Sequence, residues 1–315
     1  MDTKRALVAC VALCLSAACG KTRPDPVHPA HPAVRDAGRD SGEDAGPQST
    51  IPSNGEVCDG IDNDGNGLVD DAEIDGDGIC DCLRIGSLGA GGISSSGEIV
   101  FSNWPNAKSQ NPVVSLGDSE LTDDLLQRFD VLIVLYVGTQ QLGSQENRTL
   151  AANHAFSDDE VAALQRWVQH GGGLMTTSGY SADAAREIVN VNRLLAPFGM
   201  AYSARYLNGD VVNWVDHTVT YGVHDIYTAN GVEPDGPEGL DLATTASHQL
   251  ALQVTKTEDA RVLVWGDEWI TYQSEWHAAN DRDVERFWLN AMYWLAGPKS
   301  CQFPVFNVGD SDRDD

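Results

Sequence analysis

Basic residues are scarce in this chain. Its 315 residues include 20 Lys and Arg against 47 Asp and Glu, a formal net charge of −27. A surface of that sign repels phosphate backbones and anionic lipid heads, which argues against nucleic acid as a partner. Long apolar runs are also missing. The longest, "ALVACVALCLSAA" near the start, falls short of the roughly 20 residues needed to cross a bilayer. What remains, 42% apolar and 21% charged, is the composition of a globular protein, with length for one large domain or two small ones.

That first apolar run follows the short basic lead "MDTKR" and ends at "LSAAC". Lead, run and small residues before a cysteine make a bacterial export signal, and "LSAAC" resembles a lipobox. In a lipobox the cysteine is acylated and becomes the new N-terminus, so residues 1–18 read as signal peptide and Cys19 as the lipidation site. An ordinary secretory signal cut near Ala18 is the competing interpretation. Gly20 follows Cys19 in place of an aspartate, the pattern of outer-membrane sorting. The expectation is an exported outer-membrane lipoprotein, facing periplasm or cell surface and held to the membrane by its lipid. Of seven cysteines, Cys10 and Cys14 leave with the signal, and Cys58, Cys80, Cys82 and Cys301 remain for disulfides. Sequence does not choose among their pairings. The expectation adopted is Cys58–Cys80 around an acidic loop and Cys82–Cys301 joining the two ends of the domain.

Residues 19–56 lack aromatics and any apolar period, and are dense in Pro, Ala, Asp, Gly and Ser. Such a stretch buries too little surface to offset its ordering entropy, and reads as a tether. A flexible chain of some 35 residues spans roughly 35 Å. The acidic segment 57–82 follows, containing "DNDGNGLVDDAE". Counted from Asp62, oxygen ligands fall at the first, third, fifth and ninth places (Asp62, Asp64, Asn66, Asp70). Gly67 sits where the loop must turn, Leu68 offers a backbone carbonyl, and Glu73 closes with two carboxylate oxygens. A hard cation wants six to eight oxygens, which a short loop supplies by wrapping, and an all-oxygen set selects calcium over zinc or copper. No helices flank this loop in the sequence pattern, so the flanking cysteines are the expected clamp. The wider segment "EVCDGIDNDGNGLVDDAEIDGDGICDC" resembles a short metal-binding motif of bacterial surface proteins, usually close to "CDGIDNDCDGLVDE", whose family is named for a surface copper protein. Gly65 stands where that family has its second cysteine, so the copper association does not carry over. Outside a cytoplasm a permanently filled calcium site acts as a structural clip.

From Leu83 to Gly297 apolar runs alternate with amphipathic stretches. "LRIGSLG", "FDVLIVLYVG", "LMTTSG" and "ARVLVWGD" read as strands. "FSDDEVAALQRWVQHGGG", capped by Ser157 with Glu160 three residues on, reads as a helix, as do "DAAREIVNVNRLLAPFG" and "DVERFWLNAMYWLAG". Alternation of this kind predicts an α/β domain over 83–297, an open parallel sheet with helices on both faces, followed by an acidic tail at 298–315. In order and in the pair "GGGL" and "H-x-V-T-x-G-V", these segments resemble the class I glutamine-amidotransferase-like superfamily, and most closely its trehalose-utilisation (ThuA-like) branch. The resemblance implies a flavodoxin-like fold. It does not carry the family's chemistry: glutaminase members place a nucleophilic cysteine after the strand where this chain has "LMTTSGY", and Thr177 and Ser178 stand there instead. His217 aligns with a family histidine, and the family's His-x-Glu pair has no counterpart after the late strand, where "GDEW" stands.

The most unusual stretch is "VWGDEWITYQSEWH". It sets Asp267, Glu268, Glu275 and His277 among Trp265, Trp269, Tyr272 and Trp276, just past a strand. Open α/β sheets bind ligands beyond the carboxyl ends of their strands. Carboxylates there could bond sugar hydroxyls or act as acid and base while aromatic rings cover apolar sugar faces. The catalytic candidates are Ser178, His217, Glu268 and Glu275, and the ligand-binding candidates Trp269, Trp276 and His277. Three functions follow: a non-catalytic binding or scaffold lipoprotein with a calcium clip; a carbohydrate-active or other hydrolase using Asp267–His277; and a surface metal-handling protein. The missing cysteine favours the first.

Overall fold

"VLIV" explains how the domain is layered. A computed structural model describes residues 81–89, 111–117, 119–135, 137, 155–179, 184–256, 260–271 and 283–297, with Cys58, Asn63, Gly65 and Ala72. In strand β3 (Val131–Val134) side chains point alternately to the two faces, and all four are buried. Val131 and Ile133 enter one hydrophobic cluster, and Leu132 and Val134 the other. A strand that is apolar at every position is one covered on both sides.

The strands are β1 (Ile85–Leu88), β2 (Val114–Gly117), β3, β4 (Gly173–Thr177), β5 (Tyr202–Trp214), β6 (Ile226–Pro234), β7 (Gly239–Thr245), β8 (Leu250–Thr255) and β9 (Arg261–Trp265). The helices are α1 (Asp123–Leu126), α2 (Asp158–Gln169), α3 (Ala184–Leu195) and α4 (Val284–Ala296). One sheet runs in the order β2-β1-β3-β4-β9-β8-β7-β5-β6. Its first five strands are parallel, in the flavodoxin-like order with β9 in fifth place. Helices α2 and α3 cover one face, and α4 covers the other with Phe287, Trp288, Ala291 and Leu295. Helix α2 begins as expected: Ser157 accepts from the Glu160 amide and the Glu160 carboxylate accepts from the Ser157 amide.

The sheet is not parallel throughout. β9 is antiparallel to β8, and β7, β5 and β6 continue antiparallel, so the fold is a mixed nine-stranded sheet. Residues 202–255 form this second half, whose strands are partly exposed and interrupted by register shifts.

The disulfide also differs from expectation. Cys58 is joined to Cys82, with Cα atoms 5.2 Å apart, so neither Cys58–Cys80 nor Cys82–Cys301 forms. Cys82 is buried where the chain enters β1, and Cys58 packs on the same cluster. Ala72, 1% exposed, lies in that cluster too, and its carbonyl accepts the Asp81 amide at 2.9 Å. The acidic segment therefore shares the core of the α/β domain at these points. Cys80 and Cys301 lie outside the described residues, as do the expected signal, tether, lipidation site Cys19 and acidic tail. Among the described residues no helix is long and apolar enough to cross a membrane.

Candidate functional site

The carboxyl ends of β4 and β9 lie side by side, Thr177 level with Trp265. Each strand hands over at once to a candidate residue, β4 to Ser178 and β9, through Gly266, to Asp267 and Glu268. This edge is filled by the chain itself. Gly179 makes an antiparallel bridge with Gly231 of β6, and the Val232 amide donates to the Gly266 carbonyl at 2.6 Å. The approach is close: a Cβ on Gly231 would stand 2.5 Å from the Gly266 carbonyl oxygen and 2.8 Å from Cβ of Asp267. Only glycine lets β6 lie this near.

Asp267 is 0% exposed. One of its carboxylate oxygens accepts the Ala229 amide of β6, and the other accepts the Trp269 amide at 3.1 Å. The side chain thus ties the end of β9 to the middle of β6 and to its own following turn. Glu268 is 1% exposed and opens a 3-10 turn, Glu268–Thr271, which the Thr271 hydroxyl closes on the Glu268 carbonyl at 2.8 Å. Trp288 of α4 donates its indole N–H to the Ile270 carbonyl at 3.2 Å, fixing the turn to the helix. Trp269 is half-buried. Beneath these, the Tyr202 hydroxyl donates to the Trp265 carbonyl at 2.9 Å, so at 2.9 Å it receives the Thr176 hydroxyl proton.

Ser178 is 3% exposed. His217 is not brought to it. His217 caps the turn Thr218–Thr220, its Nδ1 accepting the Val219 amide at 3.2 Å, which places the ring proton on Nε2. Its ring meets Trp294 edge-on at 5.7 Å. Residues 217–225 then run back along α4: Asn290 donates to the carbonyls of Val219 and Tyr221, and Asp283 accepts the amides of His224 and Asp225. Phe287, which packs on Trp265 at 4.8 Å, marks the level of the carboxyl edge. Trp294 lies seven residues further, about 10 Å down the helix axis. A histidine there shapes a turn.

Glu275, Trp276 and His277 lie outside the described residues, as do the expected calcium ligands Asp62, Asp64, Asn66, Leu68, Asp70 and Glu73. Among the described residues no group of three His, Cys, Asp or Glu side chains is placed to hold a metal ion. Gly65, at the fourth place of the acidic loop, has φ +74°, a conformation that suits glycine. Sequence reasoning missed the partners that close the edge, Ala229 to Val232. The only signal was "NG" at Asn230 and Gly231, a dipeptide of tight turns that here bends a strand, with Asn230 at φ +60°.

No protein-family model and no curated protein matches the chain. Among solved structures it is similar to a cytoplasmic protein of Salmonella typhimurium LT2, at 15% identity over 68% of this chain and 99% of that one, TM-score 0.49. It is similar to a protein from Bacteroides uniformis described as ThuA-like, at 11% identity over 68% and 91%, TM-score 0.43. A glutamine amidotransferase from Thermotoga maritima is matched at 10% identity over 69% and 91%, TM-score 0.38. Likeness at this level concerns fold alone, and the topology rests on the strand order and register given above.

Proposed function

We propose that this chain is an exported lipoprotein, anchored through Cys19, whose α/β domain is a non-catalytic binding or scaffold module and whose loop Asp62–Glu73 holds a structural calcium ion. The observation that carries the non-catalytic part is the closure of the β4–β9 edge by β6. Ser178 and Asp267 are buried beneath that strand, and both Asp267 oxygens are engaged by backbone amides. A nucleophile needs a base within hydrogen-bond reach, and His217 is bound into a turn further down α4. Asp267 and Glu268 are likewise enclosed, which disfavours their use on a polysaccharide.

For the calcium clip the support is the donor set together with its mounting. Cys58–Cys82 closes the segment around the loop, and Ala72, between the ninth and twelfth ligand places, is buried in the domain core. Ligand capture by Asp70 and Glu73 would thereby be coupled to packing of the first strand.

Two measurements test this. Purified full-length protein is offered glutamine and a simple aryl ester; the expected result is no turnover, and turnover abolished by Ser178→Ala would refute the non-catalytic reading. Thermal unfolding is then compared in calcium and in chelator. A higher melting temperature in calcium is expected, disappearing in Asp62→Ala, and equal melting in both would reduce the loop to an acidic turn.

A further inference from the structure

One row of residues crosses five strands at the level of the carboxyl edge. Trp214 of β5 is paired with Ala243 of β7, Ala243 with Leu252 of β8, Leu252 with Trp265 of β9, and Trp265 with Thr177 of β4. Residues paired in this way share a face of the sheet, here the one beneath α4. The two indoles are stacked, their centroids 6.4 Å apart and their planes within 7°.

The row carries polar atoms that none of the described residues satisfies. The indole nitrogens of Trp214 and Trp265 and the hydroxyl of Thr177 are buried, and among the described residues none has a hydrogen-bond partner. Thr177 and Trp265 are themselves 1% and 0% exposed. Burial alone does not cause this, because the indoles of Trp167 and Trp288 find carbonyls at 3.3 and 3.2 Å. Native interiors rarely leave such groups unmatched without a water or ligand to meet them. An indole N–H can only donate, and a threonine hydroxyl can donate as well, so the matching molecule presents an oxygen acceptor.

We propose that the Trp214–Trp265–Thr177 row is an internal binding site for a small uncharged oxygen acceptor. The charge is decided by the surroundings. Ala243, Leu252 and Phe287 supply apolar walls, and a chain of net charge −27 gives an anion no general attraction. Trp214 is only half-buried, so it is the side from which a molecule enters. Solvent water fits this description, as does the carbonyl or hydroxyl of a small organic molecule. The site lies below the edge that β6 closes and needs none of the residues weighed for catalysis.

The test uses the full chain and the near-isosteric Thr177→Val, with Trp214→Phe as a second variant that keeps the ring and removes the donor. If the site is filled, both variants melt at lower temperature than the parent, and each shifts the Trp265 indole N–H resonance. If it is not, an unmatched hydroxyl is a burden in the core, and Thr177→Val melts at the same or a higher temperature with the Trp265 resonance unmoved; that result overturns the proposal. Titration of the parent with glycerol and with acetamide separates the sources. A saturable movement of the indole resonances identifies an organic ligand, and flat titrations together with destabilised variants identify water.

Discussion

Replacing Asp267 by alanine tests whether this carboxylate is a structural clamp. The side chain is fully enclosed, and its two oxygens take the amides of Ala229 and Trp269. Alanine leaves both amides without an acceptor, beneath a strand that Gly231 brings too close for a second partner to enter. Each buried donor left unmatched costs about 1–3 kcal/mol, so the gross loss is about 2–6 kcal/mol. Part of this is returned, because a buried charge no longer has to be desolvated, and a net loss of about 2–4 kcal/mol is expected. Asp267→Asn keeps the shape and one acceptor but turns an NH2 group toward the other amide, so about half of that loss should remain. Urea unfolding gives the stabilities, with the dependence on urea unchanged if both states keep their compactness. Hydrogen exchange at Ala229 and Trp269 should accelerate in the alanine variant. If Asp267→Ala lies within about 0.5 kcal/mol of the parent and the Ala229 amide keeps its protection, the clamp does not exist.

Two further outcomes follow from packing. Gly173→Ala places a Cβ 2.4 Å from the Leu295 carbonyl oxygen, so the end of α4 must move off the start of β4. A loss of about 1–3 kcal/mol in thermal unfolding is expected, and an unchanged transition would mean that α4 does not pack there. Cys58→Ser opens a bridge spanning 24 residues of sequence, which loop-closure entropy values at about 3.5 kcal/mol. The same loss is expected on selective reduction, with peptide mapping of the parent showing Cys58 linked to Cys82; a peptide linking Cys58 to Cys80 would refute the connectivity.

The parallel half of the fold was legible because its signals are local. A strand apolar at every position, such as Val131–Val134, has one interpretation once it is flanked by helical periods, and a capping box fixes where α2 begins. The antiparallel half was hidden because its register shifts break the two-residue period. In β5, Val211 is buried, Val212 and Asn213 are exposed, and Trp214 is half-buried, a sequence of environments that follows no simple alternation. The disulfide was hidden for another reason. Cys80 and Cys82 are almost equally far from Cys58 along the chain, and what separates them is that Cys82 enters β1 beside the buried Leu83. At the candidate site, Asp267 could be read as a carboxylate beyond a strand, but one of its two partners comes from a strand almost forty residues earlier. Nothing in the order of residues announced that the two would meet.

The closed β4–β9 edge is distinct from the point where the strand order reverses. In open sheets of this topology the crevice forms where the strand order reverses, here between β1 and β3. β6 reaches Gly179 and Gly266, which follow β4 and β9, whereas among the described residues the bridges it makes do not extend to β1 or β3. The chain beyond β3 is held at both of its described ends by one side chain: Asn190 of α3 donates to the Val137 carbonyl at 2.9 Å and accepts the Phe156 amide at 3.2 Å. Asn190 is itself buried, so these bonds work in a low dielectric and fix the mouth of that segment to α3. Among the described residues, β6 thus covers the ends of β4 and β9, while Asn190 of α3 secures the chain that leaves and returns beyond β3.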